Sequence, residues 1–263
     1  MVENISVTIL TKNSETYLHE CLNALKPFSE VVILDNGSTD RTLDIARRFP
    51  NVRIYEHPFI GFGPLKNLAL ERASNDWIFS IDSDEIASRE LVDEIMGLEL
   101  NSNCIYSFLR DNYYHGRHIR GCGWDNDWVV RLFNRKAVRF DNKMVHEGVE
   151  KKDGMKQQSL NGRLKHYSYD NASQLIQKMQ HYSSLWALEQ YGRKKTSPLK
   201  ALINASITFF KSFILKKGCL LGYEGLLISI SNANGVFYKY IKLYETLRFS
   251  SPQSSDHDQE NRL

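Results

Sequence analysis

Over its first hundred residues the chain alternates short apolar, β-branched runs with segments of helical periodicity, and an α/β layer structure is the fold that such alternation fits best. The runs ISVTILT (5–11), EVVILD (30–35), VRIYEH (52–57) and WIFSID (77–82) read as strands, most of them covered on both faces. Between them, SETYLHECLNAL (14–25) places Leu18, Cys21, Leu22 and Leu25 at helical spacing, with Ser14 or Asn13 as N-cap. STDRTLDIARRF (38–49) opens on Ser38, Thr39 and Asp40 as cap candidates, PLKNLALERA (64–73) is a short helix, and SRELVDEIMGL (88–98) is capped by Ser88. This order predicts a mostly parallel sheet with right-handed crossovers. Ligands of such sheets bind beyond the carboxyl ends of the strands. That rule brings Thr11–Glu15, Asp35–Asp40 and Asp82–Glu85 to one edge.

From residue 104 the pattern changes. CIYSFLRDNYYHGRHIRG (104–121) and WVVRLFNRKAVRF (128–140) read as antiparallel strands, and past Asp170 three long segments are helical. The expected division is a first region over 1–165, which changes pattern near residue 100, a helical region over 166–250 and a disordered tail over 251–263. Charge divides the chain as well: residues 1–150 hold 17 Lys and Arg against 23 Asp and Glu, whereas 151–250 hold 16 against 5. A basic second half suits an anionic surface or substrate, or is simply a solvated face. The stripe Leu202, Ile203, Ile207, Phe209, Phe210, Phe213 and Ile214, interspersed with Lys200, Lys211, Lys216 and Lys217, fits core packing and a membrane-interface helix equally well. Four widely spaced cysteines without a C-x-x-C pair point to a reduced, cytoplasmic chain. No signal peptide and no uncharged membrane-spanning run are expected.

Three carboxylates within four residues, Asp82, Asp84 and Glu85, follow the buried run WIFSI. Such crowding is costly unless the groups splay into solvent or share a cation. On a strand end, Asp82 and Asp84 face one side and Ser83 the other, a spacing that suits Mg²⁺ or Mn²⁺; Glu85 neighbours the metal or, as the favoured reading, caps the next segment. Asp35 is an anion at a last strand position, which a plain turn does not explain but a hydrogen bond to a base or ribose would. Lys66 sits near the start of a helix after GFGP, where it faces a phosphate or is a surface lysine. In GCGWDNDWVVRLFNR (121–135), Trp124 and Trp128 flank Asp127, as in sugar sites where rings stack and a carboxylate takes hydroxyl protons. VHEGVE adds His146 and Glu147. Asp127 and Glu147 are the candidates for general base, each with an ion-pair role to Arg131 or Arg139 as its alternative.

Taken together, VTILTKNSE, ILDNGSTD, GFGPLKN and FSIDSDE, in this order and spacing, resemble the family 2 glycosyltransferases of the GT-A fold. The second half is similar to lipopolysaccharide inner-core transferases that place a β-linked glucose on heptose, through GWDNDWVVRLFNR, MVHEGVE and the segment 213–243. Asn36 stands where many relatives carry a second Asp, which makes it a doubtful contact, and LGYEG stands where an Asp-Gly pair is expected. The resemblance makes 1–165 the catalytic region, with a nucleotide-sugar half over 1–100 and an acceptor half over 101–165. It implies a UDP-sugar donor, most simply UDP-glucose, with Thr11, Glu15 and Asp35 on the uridine and Asp82 near the ribose. It implies Asp84, with Asp82, on a divalent cation (Mg²⁺ or Mn²⁺) at the diphosphate, and Lys66 beside that phosphate. Asp127 is then the first choice of base and Glu147 the second. The acceptor is an anionic glycolipid at the inner membrane face, where the chain is peripheral, and no nucleic acid is involved. The rival readings are a transferase for a polyprenyl-linked or capsule intermediate, a nucleotidyltransferase, and a non-catalytic membrane-binding protein.

Overall fold

In the computed structural model, which describes residues 2–144 and 147–249, the buried runs form the expected sheet. In chain order the elements are β1 (Val2–Thr11), α1 (Leu18–Ala24), β2 (Phe28–Asp35), α2 (Thr42–Ala46), β3 (Val52–Glu56), α3 (Phe62–Arg72), β4 (Trp77–Asp82), β5 (Glu85–Ala87) and α4 (Arg89–Met96). There follow β6 (Cys104–Tyr114), β7 (Arg117–His118), β8 (Asp127–Asn134), β9 (Lys156–Tyr169), α5 (Ala172–Gln190), α6 (Pro198–Phe210) and α7 (Tyr223–Phe249). The sheet order is β3-β2-β1-β4-β8-β6-β9-β5, with β7 beside β6. Strands β1 to β4 are parallel. β8 runs antiparallel to both β4 and β6, and β9 runs parallel to β6. The tail 251–263 and His146 lie outside the described residues.

One connection bends this sheet into the shape a site needs. Only Ser83 and Asp84 separate β4 from β5, yet β5 pairs with β9, four strand positions away. In a flat sheet that offset is about 19 Å at ~4.8 Å per strand. The three Cα steps from Asp82 to Glu85 reach at most about 11 Å. The sheet therefore curls, and β9 comes to face the end of β4. Beneath it, Leu18, Cys21, Leu22 and Leu25 pack with Phe28, Ile33, Phe79, Phe108 and Leu132, all fully buried. α3 covers the other face through Leu65, Ala69 and Leu70.

Several expectations shift. α1 begins at Leu18 and not at Ser14, and neither Asn13 nor Ser14 caps it. Residues 13–15 are instead pinned to the second loop. Asn13, at φ 49°, accepts from Thr39 N–H, Ser14 N–H donates to Thr42 Oγ1 at 2.7 Å, and Glu15 N–H donates to Asp40 at 3.2 Å. α2 is cut to Thr42–Ala46, because Asp40 turns its carboxylate onto Thr42 and no side chain caps the helix from Ser38 or Thr39. The helix cap at Ser88 is present, its hydroxyl accepting from Leu91 N–H. β9 was not anticipated. It continues past position 165 to Tyr169, so the expected division falls inside a paired strand.

The helical segments past Asp170 are α5, α6 and α7. Asn171 and Ser197 cap α5 and α6, and a π-helical turn, Lys211–Leu215, extends α6. Gly225 lets α7 touch the turn before it, since a Cβ there would lie 1.8 Å from the Gly218 carbonyl oxygen. α6 leaves Leu199, Leu202, Ile203, Ile207 and Phe210 exposed. The stretch Pro198–Leu215 is long and apolar enough by length and composition to cross a membrane, with a mean hydropathy of 1.2, but it carries Lys200 and Lys211 and so is not an uncharged run. All four cysteines are free, and only Cys219 is exposed.

Candidate active site

Three polar segments meet at the carboxyl ends of β1, β2 and β4, where strand register sets Thr11 beside Asp35 and Leu10 beside Asp82. Asp35 is fully buried, and its carboxylate accepts from Thr11 Oγ1 (2.7 Å), Gly37 N–H (2.9 Å), Ser38 N–H (2.7 Å) and Ser38 Oγ (2.5 Å). Burial alone would raise its pKa, but the hydrogen bonds from Ser38, Thr11 and Gly37 outweigh it and hold the carboxyl below its ordinary range. The turn itself thus accounts for Asp35. Glu15 does not line the cavity either; its carboxylate takes Arg41 N–H (3.1 Å) and Arg41 Nε (3.2 Å). Facing the cavity from this side are Thr11, Lys12, Ser14 and Asn36. The Asn36 Oδ1 atom is buried without a hydrogen-bond partner among the described residues.

Asp82 ends β4, and Ser83 and Asp84 form the turn to β5. Asp82, Ser83 and Asp84 all face the cavity. Ser83 does not turn away as a strand residue would, because the two-residue alternation stops with the strand; its Oγ lies 2.9 Å from Ser14 Oγ. Asp82 is held by two cations. Its Oδ1 accepts from Lys66 Nζ at 3.0 Å and its Oδ2 from Arg131 Nη2. Burial pushes Asp82 upward, yet Arg131 and Lys66 prevail and keep it well below the usual carboxylate range. Lys66 is only 4% exposed and also pairs with Glu147 Oε1 at 2.8 Å.

Glu85 proves to be no cap. It is 0% exposed; its Oε1 accepts from Arg110 Nη1 (2.9 Å) and Arg131 Nη2 (2.7 Å), and its Oε2 accepts from Asp82 N–H (2.9 Å). Arg110 continues to Asp127 Oδ2 at 2.7 Å, an oxygen that Asn112 Nδ2 also reaches at 3.1 Å. Asn112 Oδ1 lies 2.6 Å from His166 Nδ1, and His166 Nε2 lies 3.6 Å from Asp84 Oδ2. One network therefore runs from Glu147 through Lys66, Asp82, Arg131, Glu85, Arg110, Asp127, Asn112 and His166 to Asp84. The opening crowd of carboxylates is tolerated because guanidinium and ammonium groups are interleaved with it. The ion-pair alternatives are half right: Asp127 pairs with Arg110, Glu147 with Lys66, and Arg139 with Glu71.

The network forms the floor of a cavity of about 1270 Å³. Its walls include Trp124 and Trp128 beside Asp127, and Lys178, Tyr182, Trp186 and Lys239 from α5 and α7. Arg110, Asn112 and His166 were not anticipated, and Arg131 was expected only as an ion-pair partner of Asp127 or Glu147. The signals for two of them were a lone Arg inside the apolar run VVRLF and a His at an alternating position of LKHYSY. Among the described residues no three His, Cys, Asp or Glu form a preassembled metal cluster. Asp84 and His166 are nonetheless an oxygen and a nitrogen donor facing one point, a set that fits a divalent cation completed by ligand phosphates. With both oxygens of Asp82 engaged, Asp84 is the better-placed carboxylate of the two.

Residues 6–161 match the family described as Glycosyl transferase family 2. The chain belongs to this family and is a glycosyltransferase, with the α/β GT-A architecture followed by C-terminal helices. An uncharacterized glycosyltransferase of Rickettsia typhi is 30% identical over 257 residues, covering 93% of this chain and 88% of the relative. The lipopolysaccharide core biosynthesis glycosyltransferase LpsC of Rhizobium meliloti is 28% identical and covers 92% of each chain. Among solved structures, S. aureus TarS 1–349 in complex with UDP aligns over 93% of this chain and 91% of its own, with a TM-score of 0.46 and 17% identity.

Proposed function

We propose that the enzyme transfers a hexose, glucose in the simplest case, from its UDP donor to a heptose of a lipopolysaccharide inner core, inverting the anomeric configuration. The acceptor class is supported by the match to LpsC over 92% of both chains. The reaction type rests on one observation above all. Asp127 offers one carboxylate oxygen to Arg110 and Asn112 and keeps Oδ1 without a partner among the described residues, at the wall of the cavity between Trp124 and Trp128.

In this reading the uridine lies over Thr11 and Asn36, whose unpartnered Oδ1 meets a base N–H, and Asp35 shapes that loop from beneath. Glu15 acts only through Arg41. Asp84 and His166 would hold the divalent cation, which would supply Lewis-acid neutralisation of the charge developing on the diphosphate. Lys66 and Arg131 keep Asp82 ionised and steady at the ribose side. Asp127 Oδ1 takes the proton of the acceptor hydroxyl as its oxygen attacks the anomeric carbon from the face opposite UDP, so no covalent enzyme intermediate forms. Glu147, already bound to Lys66, is the second choice of base. The catalytic region runs to the end of β9 at Tyr169, and the helical region follows from Ala172. The exposed apolar face of α6, flanked by Lys200 and Lys217, rests on the cytoplasmic face of the inner membrane.

Transfer of label from UDP-[¹⁴C]glucose to core-truncated lipopolysaccharide, with Mn²⁺ or Mg²⁺, tests the proposal. Labelled lipopolysaccharide is expected, and Asp127→Asn should cut the rate by about 10²–10⁴-fold, as loss of a general base does. Label appearing only on a polyprenyl phosphate refutes the acceptor, and no turnover of any UDP-hexose refutes the donor.

A further inference from the structure

Beside the main cavity lies a second one, of about 410 Å³, between α6, the π-helical turn and α7. Its lining carries the ammonium-bearing side chains Lys211, Lys216 and Lys239, the hydroxyls of Thr208 and Ser212, the amides of Asn204 and Asn232, and no carboxylate. None of the three lysines has an ion pair among the described residues. Three like charges around one hollow repel each other; Lys211 and Lys216 stay solvent-exposed, and Lys239 is partly buried. Burial, opposed by Tyr240 and reinforced by Lys194, holds the Lys239 ammonium below its ordinary range, and its Nζ lies over the Trp186 and Tyr240 rings. The cations of the catalytic floor are matched by Glu85, Asp82 and Glu147, whereas this basic hollow has no carboxylate in its lining and so suits an anion from outside.

The position of the hollow says which anion. Asn232, Val236 and Lys239 line both cavities, so the two share a wall. Lys216 lies across Gly123, where a Cβ would come within 2.4 Å of its Nζ, and Gly123 is four residues before Asp127. Lys216 C=O accepts from Cys122 N–H at 2.8 Å, and Ser212 Oγ donates to Cys122 C=O at 3.3 Å, tying the same turn to the acceptor-side loop. Ile207 lines the hollow on its other side while standing 58% exposed on the apolar face of α6.

We propose that Lys211, Lys216 and Lys239 form a phosphate-binding site that holds a phosphate group of the acceptor glycolipid while its sugar reaches Asp127. This inference rests on the acceptor reading above. The site sits between the apolar face and the catalytic cavity, so it fixes the anionic end of an amphipathic acceptor and sets which sugar arrives at the base.

The test titrates UDP-saturated protein with inorganic phosphate by calorimetry, and separately with phosphatidylcholine vesicles with and without phosphatidic acid. Each titration is repeated with Lys211→Gln/Lys216→Gln, whose folding is checked by circular dichroism and by its melting curve. The expected result is phosphate binding in the presence of UDP that weakens tenfold or more in the double variant. Binding seen only with phosphatidic acid vesicles and weakened equally also supports the site, as one for a phosphate presented at a bilayer. No binding in either format, or binding of equal strength in the folded variant, overturns it. Failure of UDP itself to bind overturns the donor reading alone, because the comparison between wild type and double variant still decides the phosphate site.

Discussion

Replacing Glu85 by Gln removes one negative charge from a position with no exposure while keeping the side chain's shape. Its Oε1 is 2.9 Å from Arg110 Nη1 and 2.7 Å from Arg131 Nη2, and Arg131 is itself only 5% exposed. With charge centres about 4 Å apart and an effective dielectric of ~20, each pair is worth about 4 kcal/mol before desolvation is counted. Asp82 and Asp127 still face the two guanidinium groups in the variant, so the loss is partial. Breaking a buried pair from one side costs about 3–5 kcal/mol. For a chain of this size the melting midpoint should fall by about 2–4 °C per kcal/mol, and hence by roughly 6–20 °C. The assay is thermal unfolding of the ligand-free protein by circular dichroism, for the wild type, Glu85→Gln, Arg131→Gln and the double variant. Residues in one ion-pair network couple by about 0.5–3 kcal/mol, so the double variant should lose clearly less than the sum of the singles. A shift under 2 °C for Glu85→Gln, or strict additivity, would refute the idea that these pairs carry the floor of the site.

Three other outcomes follow from the same geometry. Gly225→Ala forces a methyl to within 1.8 Å of the Gly218 carbonyl and should lower the midpoint by several degrees, an overpacking cost of about 1–3 kcal/mol; Gly97→Ala, with 3.7 Å of clearance at a helix end, should leave it unchanged or slightly raised. Glu30 is buried at the opposite end of the sheet and accepts from Ser6, Ser74 N–H (2.7 Å) and Ser74 Oγ (2.7 Å), with Arg53 at 2.8 Å. Burial raises its pKa, but the bonds from Ser6 and Ser74 hold it below the ordinary value. Its stabilisation is therefore complete above the unfolded pKa of about 4.3 and is lost as pH falls through the lower folded value; acid titrations of Glu30→Gln should show a shallower loss over that window. Leu202→Glu with Phe210→Glu, on the outer face of α6, should abolish binding to phosphatidylglycerol vesicles in flotation while leaving the melting curve within about 2 °C; unchanged flotation would remove the membrane from the account.

Much of this was legible in the residues, and the boundary of legibility has physical causes. The four parallel strands and the convergence of three loops come from local patterns of burial, which a sequence displays directly. Asp82 and Asp84 were found for the same reason, being unexpected charges after an apolar strand. β9 was harder, because its early residues are exposed and the inward positions Leu160, Gly162, Leu164 and His166 include a glycine and a histidine that break the apolar alternation. With β9 went His166, and with it the partner of Asp84. Asp35 and Glu15 show the converse error. Both stood at the right edge of the sheet, but a carboxylate that satisfies Ser38 or Arg41 is indistinguishable in sequence from one that awaits a ligand. Arg131 lies on β8 beside β4 and Arg110 one strand further on β6, and only the pairing of these distant strands, with the curl at the Ser83-Asp84 turn that brings Glu85 round, makes them meet. Long-range closure of that kind leaves no local trace.

Calorimetric titration of UDP into wild type and Asp84→Ala, each with Mn²⁺, with Mg²⁺ and with chelator, tests the central claim most directly. The account predicts binding to the wild type that strengthens with the metal, and loss of that metal dependence in Asp84→Ala while the variant keeps its melting curve. Equal affinity in all three conditions, or an Asp84→Ala protein that still responds to the metal, would contradict it.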